Sequence, residues 1–173
     1  MGTGADPSGA SDDAATMPTP LPTPQLRHVF RLDAELGTPL DVGAVAEGRR
    51  RVVGLISGRA TGDGLSAELL PTGAADWQLV RGTGTAVADL RYILQTESGS
   101  LLYVKAHGTR HGAPEVLAAL AAGDEVDPNS YTFRTWVEIE TSDPELAWMN
   151  DGVFIAVGGR WPSGVSYDVY VVE

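Results

Sequence analysis

From Leu26 onward no stretch of the chain keeps one character for long. Segments rich in Val, Ile, Leu, Thr and Tyr are broken by Gly, Asp, Asn or Pro every eight to twelve residues. That spacing admits short strands joined by tight turns and little else, which is the signature of an antiparallel all-β domain. Candidate strands fall near residues 26–35, 39–46, 51–60, 64–70, 76–81, 84–96, 101–107, 131–141, 153–158 and 165–172. About ten antiparallel strands in one small domain leave two open edges unless the sheet closes, so a single antiparallel β-barrel is expected, with a two-sheet sandwich as the alternative. The closing stretch VSYDVYVVE is strand-like throughout and is expected to pair with another strand.

The interruptions are informative too. TESGSL reads as a hairpin turn with Gly99 at positive φ. One segment, APEVLAALAAG, is helical: Pro114 suits a first turn, Val116, Leu117 and Leu120 share a face, and Gly123 can end it. It lies within the long connection from Gly108 to Ser130, and connections of that length in compact domains are often functional, here as a candidate lid. Residues 1–25 are different in kind. Small polar residues and alternating prolines, without Lys, Arg or an aromatic, cannot repay the entropy of ordering, so a flexible leader is expected ahead of a barrel domain at 26–173.

Charge and composition exclude several function classes. The chain carries a formal net charge of −11, of which the leader's Asp6, Asp12 and Asp13 supply a small part. Nucleic acid and anionic lipid both need a basic face, and GRRR at Gly48 to Arg51 is the only basic cluster. No run is long enough to span a membrane as a helix, and the basic start and apolar stretch of a secretory signal are missing. Cysteine is absent, which removes disulfides, thiolate metal sites and cysteine nucleophiles and suits a reducing cytoplasm.

Two strands carry charge where apolar residues are expected. On 84–96, Asp89, Arg91 and Ile93 share one face and Leu90, Tyr92 and Leu94 the other. On 131–141, Thr132, Arg134, Trp136, Glu138 and Glu140 oppose Tyr131, Phe133, Val137 and Ile139. Such polar sets commonly face water. A tryptophan seldom sits in a wholly solvated row, however, and a mixed face of Trp, Arg and Glu suits a ligand cavity with a few convergent polar groups.

Other motifs weigh less. RGTGTA, Arg81 to Ala86, resembles the start of a dinucleotide fingerprint but leads into a strand, so no helix N-terminus receives phosphate and no cofactor is expected. HGTRH places His107 and His111 four apart at a strand end, with Gly108 between them, and no metal is expected. In GAADWQL, an Asp76 held against the Trp77 indole would lose solvation and become an acid or base near neutral pH; equally, Asp76 can cap a turn while Trp77 joins the core. In ELAWMND, Trp148 and Asn150 look into one cavity if the segment is extended, or belong to a turn.

Taken in order, GAADW, ADLRY, YTFRT, the ET of Glu140–Thr141, WMN and YDVYVV resemble the domain-of-unknown-function family 3237, also called uncharacterised protein family 0311, over residues 26–173. The resemblance implies one antiparallel barrel with an interior cavity, and roles in small-molecule, often natural-product, cyclisation or addition steps. It carries the family's recurring polar positions onto Asp76, Trp77, Asp89, Arg91, Tyr92, Arg134, Glu140, Trp148 and Asn150. His107 and Trp136 depart from the family pattern and bear on pocket shape.

Arg91, Arg134 and nearby carboxylates are therefore expected in or against the barrel interior, with Asp89 and Arg91 bracing it. Asp76 or Glu140 is the expected general acid/base, and Arg134 with Asn150 the expected oxyanion stabiliser. Trp77, Arg91, Tyr92, Tyr131, Trp136 and Trp148 are the expected ligand contacts. The expected activity is a cofactor-independent cyclase, isomerase or lyase, against a non-catalytic binding barrel as the alternative. An apolar or aromatic small molecule is the expected partner, with no nucleic acid or membrane, and a homo-oligomer stays open.

Overall fold

A computed structural model describes Met1, residues 19–62 and residues 64–173. The leader expectation falls mostly on residues 2–18, outside the described residues. Nine strands follow: β1 Leu26–Leu36, β2 Leu40–Val45, β3 Gly48–Gly62, β4 Leu65–Val80, β5 Ala86–Thr96, β6 Leu101–Gly112, β7 Tyr131–Thr141, β8 Phe154–Trp161 and β9 Gly164–Val172. All pairings are antiparallel, in the order β1-β9-β8-β7-β6-β5-β4-β3-β2, and β1 also pairs with β3. That last pairing closes eight strands into a barrel and leaves β2 as an extra strand on the first half of β3. The barrel thus prevails over the sandwich.

Nine strands replace about ten because residues 64–70 and 76–81 form one bent strand. Pro71, Thr72 and Gly73 look like a turn in sequence, but in β4 they form an exposed irregularity where the register with β5 shifts between Leu70 and Ala75. Gly73 takes φ +74°, the left-handed conformation that lets the strand bend without ending. The TESGSL hairpin is as expected: Gly99 sits at φ +90° and donates to the Thr96 carbonyl. The helix α1 spans Pro114–Ala122, begins at proline, ends at Gly123 with φ +86°, and buries Leu120.

Alternation along each strand sends one set of side chains inward. Phe30, Leu32, Leu55, Leu90, Leu94, Leu102, Val104, Phe154 and Val169 are almost wholly buried, and Met149, from the short 3₁₀ turn Ala147–Asp151, is buried with them. An eight-stranded barrel is just wide enough for its own side chains or one small ligand. The apolar filling is continuous except near the end where β1, β4, β6 and β8 finish and β3, β5, β7 and β9 begin, and there it turns polar.

Candidate functional site

The polar end grows from strand parity. Asp76 and Gln78 alternate inward on β4, and both are buried. Arg110 continues the inward row of Leu102, Val104 and Ala106 on β6, and only 6% of it is exposed. Arg160 follows Phe154 and Ala156 on β8, Arg51 precedes Val53 and Leu55 on β3, and Tyr167 lies between Val165 and Val169 on β9. Alternation on five strands therefore brings three guanidiniums, one carboxyl, one amide and one phenol to one end of the interior.

Asp76 is held from both sides. Gln78 Nε2 donates to its Oδ2 at 2.8 Å, and the Asp89 backbone N–H donates to its Oδ1 at 2.9 Å. The Gln78 oxygen in turn accepts from Arg51 Nε at 2.8 Å, so Arg51, Gln78 and Asp76 form a chain. Burial pushes the Asp76 carboxyl above its ordinary range; the Asp89 amide, Gln78, Arg51 and Arg110 pull it back without cancelling the effect. Arg110 is lowered to about 10 by burial and by the facing Arg160 and Arg51, and so stays charged at neutral pH. Burial also lowers Arg160 and raises Tyr167 well above the usual phenol range. Arg160 is anchored by Nε to the Gly164 carbonyl at 2.9 Å, and its backbone N–H donates to the Tyr131 hydroxyl at 2.7 Å. Arg110 Nε, by contrast, is buried without a hydrogen-bond partner among the described residues.

These groups line two adjacent spaces. An inner void of about 20 Å³, room for one water, lies among Asp76, Gln78, Leu90, Arg110, Arg160 and Tyr167. It shares Leu36, Val53, Arg110 and Arg160 with an outer cleft of about 220 Å³ that also meets Arg51, Pro162 and the C-terminal end of α1, Leu120 to Gly123. The connection read as a candidate lid thus does sit at the mouth, although its first residues, Gly108–Gly112, belong to β6. A larger cleft of about 410 Å³ opens at the opposite end among Thr96, Glu97, Asp143 and Glu145; none of the interior polar groups reaches it.

Of the expected site residues, Asp76, Tyr92 and Tyr131 are inside. Tyr92 is buried below the polar layer, and Tyr131 supports Arg160. The others are not brought together. Arg91 points outward, paired with Asp89 at 3.4 Å and stacked 5.6 Å from the Trp77 ring. Asp89 and Arg91 do brace each other, but on the outer wall, because neighbouring residues on a strand face opposite ways. For the same reason Trp77 lies outside while Asp76 lies inside, so burial in the barrel and not the indole desolvates Asp76. Arg134, Trp136 and Glu140 share the outward face of β7: Arg134 donates to the Phe133 carbonyl, Glu140 is exposed, and Trp136, 42% exposed, packs against His107 and Lys105. Trp148, 40% exposed, lies against Phe154 and Arg27. Asn150 ties its turn to the end of β7 by two hydrogen bonds with the Thr141 backbone. His107 and His111 share the outward face of β6, four residues and so about 13 Å apart.

Residues 24–172 match the family described as protein of unknown function (DUF3237). The chain belongs to that family. A relative named UPF0311 protein, from Rhodopseudomonas palustris strain TIE-1, is 33% identical over 151 residues, 87% of this chain and 98% of its own length. Among solved structures, a β-barrel-like protein from Acinetobacter baumannii superposes with a TM-score of 0.78 at 34% identity, covering 89% of this chain and 99% of that one. An enzyme from Penicillium herquei shares the fold, with a TM-score of 0.67 at 15% identity over 91% of this chain and 100% of that one. His107 and Trp136, expected from the sequence to depart from the family pattern, meet each other on the outer wall, ring centroids 5.8 Å apart, and do not line the polar cavity.

Proposed function

We propose that this DUF3237 protein is a small-molecule enzyme of the cyclase, isomerase or lyase type, working in the cytoplasm, with its active site at the polar end of the barrel interior. Asp76 carries the reading. It is a buried carboxyl that burial raises above its ordinary range, fixed through both oxygens, and it faces a small void it shares with Arg110 and Arg160. In the simplest cycle the Asp76 carboxylate takes a proton from carbon next to a carbonyl. The C–H pair moves onto the carbonyl oxygen, and Arg110 and Arg160 hold the resulting enolate. Return of the proton to a different atom completes an isomerisation; attack of the enolate carbon on a second carbonyl carbon shifts that C=O pair onto its oxygen, which takes the proton back from Asp76 and completes a ring closure. The Arg134 and Asn150 pair expected for the oxyanion is thereby replaced by Arg110 and Arg160. The barrel-shaped enzyme from Penicillium herquei supports the fold's suitability for catalysis and no more.

The test is turnover. Carbonyl compounds that stabilise the protein in thermal shift are incubated with parent and Asp76→Asn, and products are followed by mass and NMR. The variant keeps the size and one of the two accepted hydrogen bonds, its new NH2 facing a donor, and loses the proton-accepting oxygen, so turnover is expected to fall roughly 10²–10⁴-fold in protein shown by its melting curve to be folded. Ligands that bind tightly and are never converted would make the barrel a carrier.

A further inference from the structure

The interior charge does not balance. Three guanidiniums, Arg51, Arg110 and Arg160, meet one carboxyl, Asp76, and that carboxyl is raised toward its neutral form by burial. Arg51 donates through Nε and Nη2 to Gln78 and Arg160 donates through Nε to the Gly164 carbonyl, whereas Arg110 is as buried as the core around it and leaves Nε unpaired. Leaving a buried guanidinium without a partner is among the costlier arrangements in a fold, and nothing in the barrel's packing calls for it. Such a group is explained by what it awaits.

Resting on the reading of the polar end as the active site, we infer that its substrate is a small organic acid whose carboxylate docks on the Arg110 guanidinium, with Arg160 alongside, before any chemistry begins. The guanidinium fork matches a carboxylate with two parallel hydrogen bonds, and Nε is one of its donors. The outer cleft, about 220 Å³, is below the ~300–1,000 Å³ of sites for drug-sized ligands. Beneath Leu90 and Tyr167 the next gap, against Tyr92 and Thr135, has no room for a water, so the ligand cannot run deeper into the barrel. The substrate is therefore short: a carboxylate at the arginines, a body in the outer cleft against Val53, Leu36 and the end of α1, and a reacting carbon turned toward the small void in front of Asp76.

The test uses matched acid and amide pairs, benzoate with benzamide and phenylacetate with phenylacetamide, together with inorganic phosphate, titrated into the parent, Arg110→Met and Asp76→Asn. Arginine Nε–H NMR signals and calorimetry are the readouts. In the parent the acid is expected to bind about tenfold or more tighter than its amide and to shift the Arg110 Nε–H signal. Arg110→Met should abolish that preference while its melting temperature holds or rises, since an unpaired buried charge has gone; a merely structural arginine would instead lower it. Should Arg110→Met not fold, Arg110→Lys carries the test, with the acid preference expected to weaken because the two-pronged contact is lost. Asp76→Asn should keep the acid preference in full. Equal binding of acid and amide, binding of phosphate alone, or an Arg110 signal that does not move at tens of millimolar acid overturns the inference. Acid preference without turnover of any acid sinks the enzyme reading and leaves the carboxylate site; turnover of neutral compounds only does the reverse.

Discussion

Asp76 is where burial and electrostatics oppose each other most directly. Its neighbours from every side are donors or cations, Gln78 and Arg51, the Asp89 amide, and Arg110, with the Tyr167 phenol also facing it, yet loss of water outweighs them and raises the carboxyl. A carboxyl raised on folding holds its proton more tightly in the native state than in the unfolded chain. Its contribution to stability is thus complete below about pH 4, the unfolded value, and is lost as pH rises through the higher native one. Asp76→Asn removes this dependence, so from pH 4 to pH 7 the parent is expected to lose ground against the variant in thermal melts. A parent that gains ground would show that the arginines outweigh burial. The outward carboxylates should behave otherwise. Glu140→Gln is expected to leave turnover unchanged, checked in the same product assay, because Glu140 is exposed on the far side of β7 from the cavity. Asp89→Asn breaks only a 3.4 Å pair on the outer wall, and its cost in urea unfolding is expected to stay below about 1 kcal/mol.

At the level of the strands, two glycines decide what could be foreseen. Gly108 looks like the end of β6, but the strand runs on through it to Gly112. There the backbones of β6 and β7 approach so closely that a Cβ would collide with the Arg134 carbonyl and lie 2.6 Å from Thr135 Cα. Gly108→Ala is accordingly expected to cost more than about 2 kcal/mol in denaturant melts, or to prevent folding, as overpacking without an escape route does. Gly158 in β8 is similar: a Cβ there would lie 2.5 Å from the Phe133 ring. Read as strand ends, these glycines cut off the very residues that follow, Arg110 and Arg160, although both keep the parity of Leu102, Val104 and Ala106 or of Phe154 and Ala156. The barrel, the hairpin at Gly99 and the helix from Pro114 to Gly123 were legible because each rests on a local rule, whereas Asp76 was singled out for its place beside Trp77 and is desolvated instead by closure of the barrel. The arginine cluster was not legible, since it exists only when the ends of β3, β6 and β8 meet around a closed interior. Charge on β7 misled for a related reason: Trp136 lies on the outer wall, where His107 and Lys105 of β6 pack against one side of it, a cross-strand arrangement invisible along one strand.

For the molecule as a whole, closure separates eight strands from one. β2 has a single sheet neighbour, β3, and leaves Leu40 and Val42 exposed, whereas each barrel strand is hydrogen-bonded on two sides. Amides of Leu40–Val45 are therefore expected to exchange with solvent far faster than those of β5 and β6, which should open only with global unfolding; comparable protection would mean that β2 is held by something further. No helix among the described residues is long and apolar enough to cross a membrane. The route by which the barrel closes also has a consequence in time. From β3 to β9 each strand pairs with its predecessor, a meander that can zip up as it is made, but β1 lies between β3 and β9, with Leu26 opposite Val172. The strand synthesised first therefore completes its pairing last, after its other partner leaves the ribosome. Contacts of β1 belong to the late side of the folding barrier, so Leu32→Ala, which opens a cavity worth about 2–5 kcal/mol, should quicken unfolding and leave the refolding rate almost unchanged in stopped-flow measurements. A slowed refolding limb would put β1 in the nucleus instead, and the seam of the barrel at its beginning.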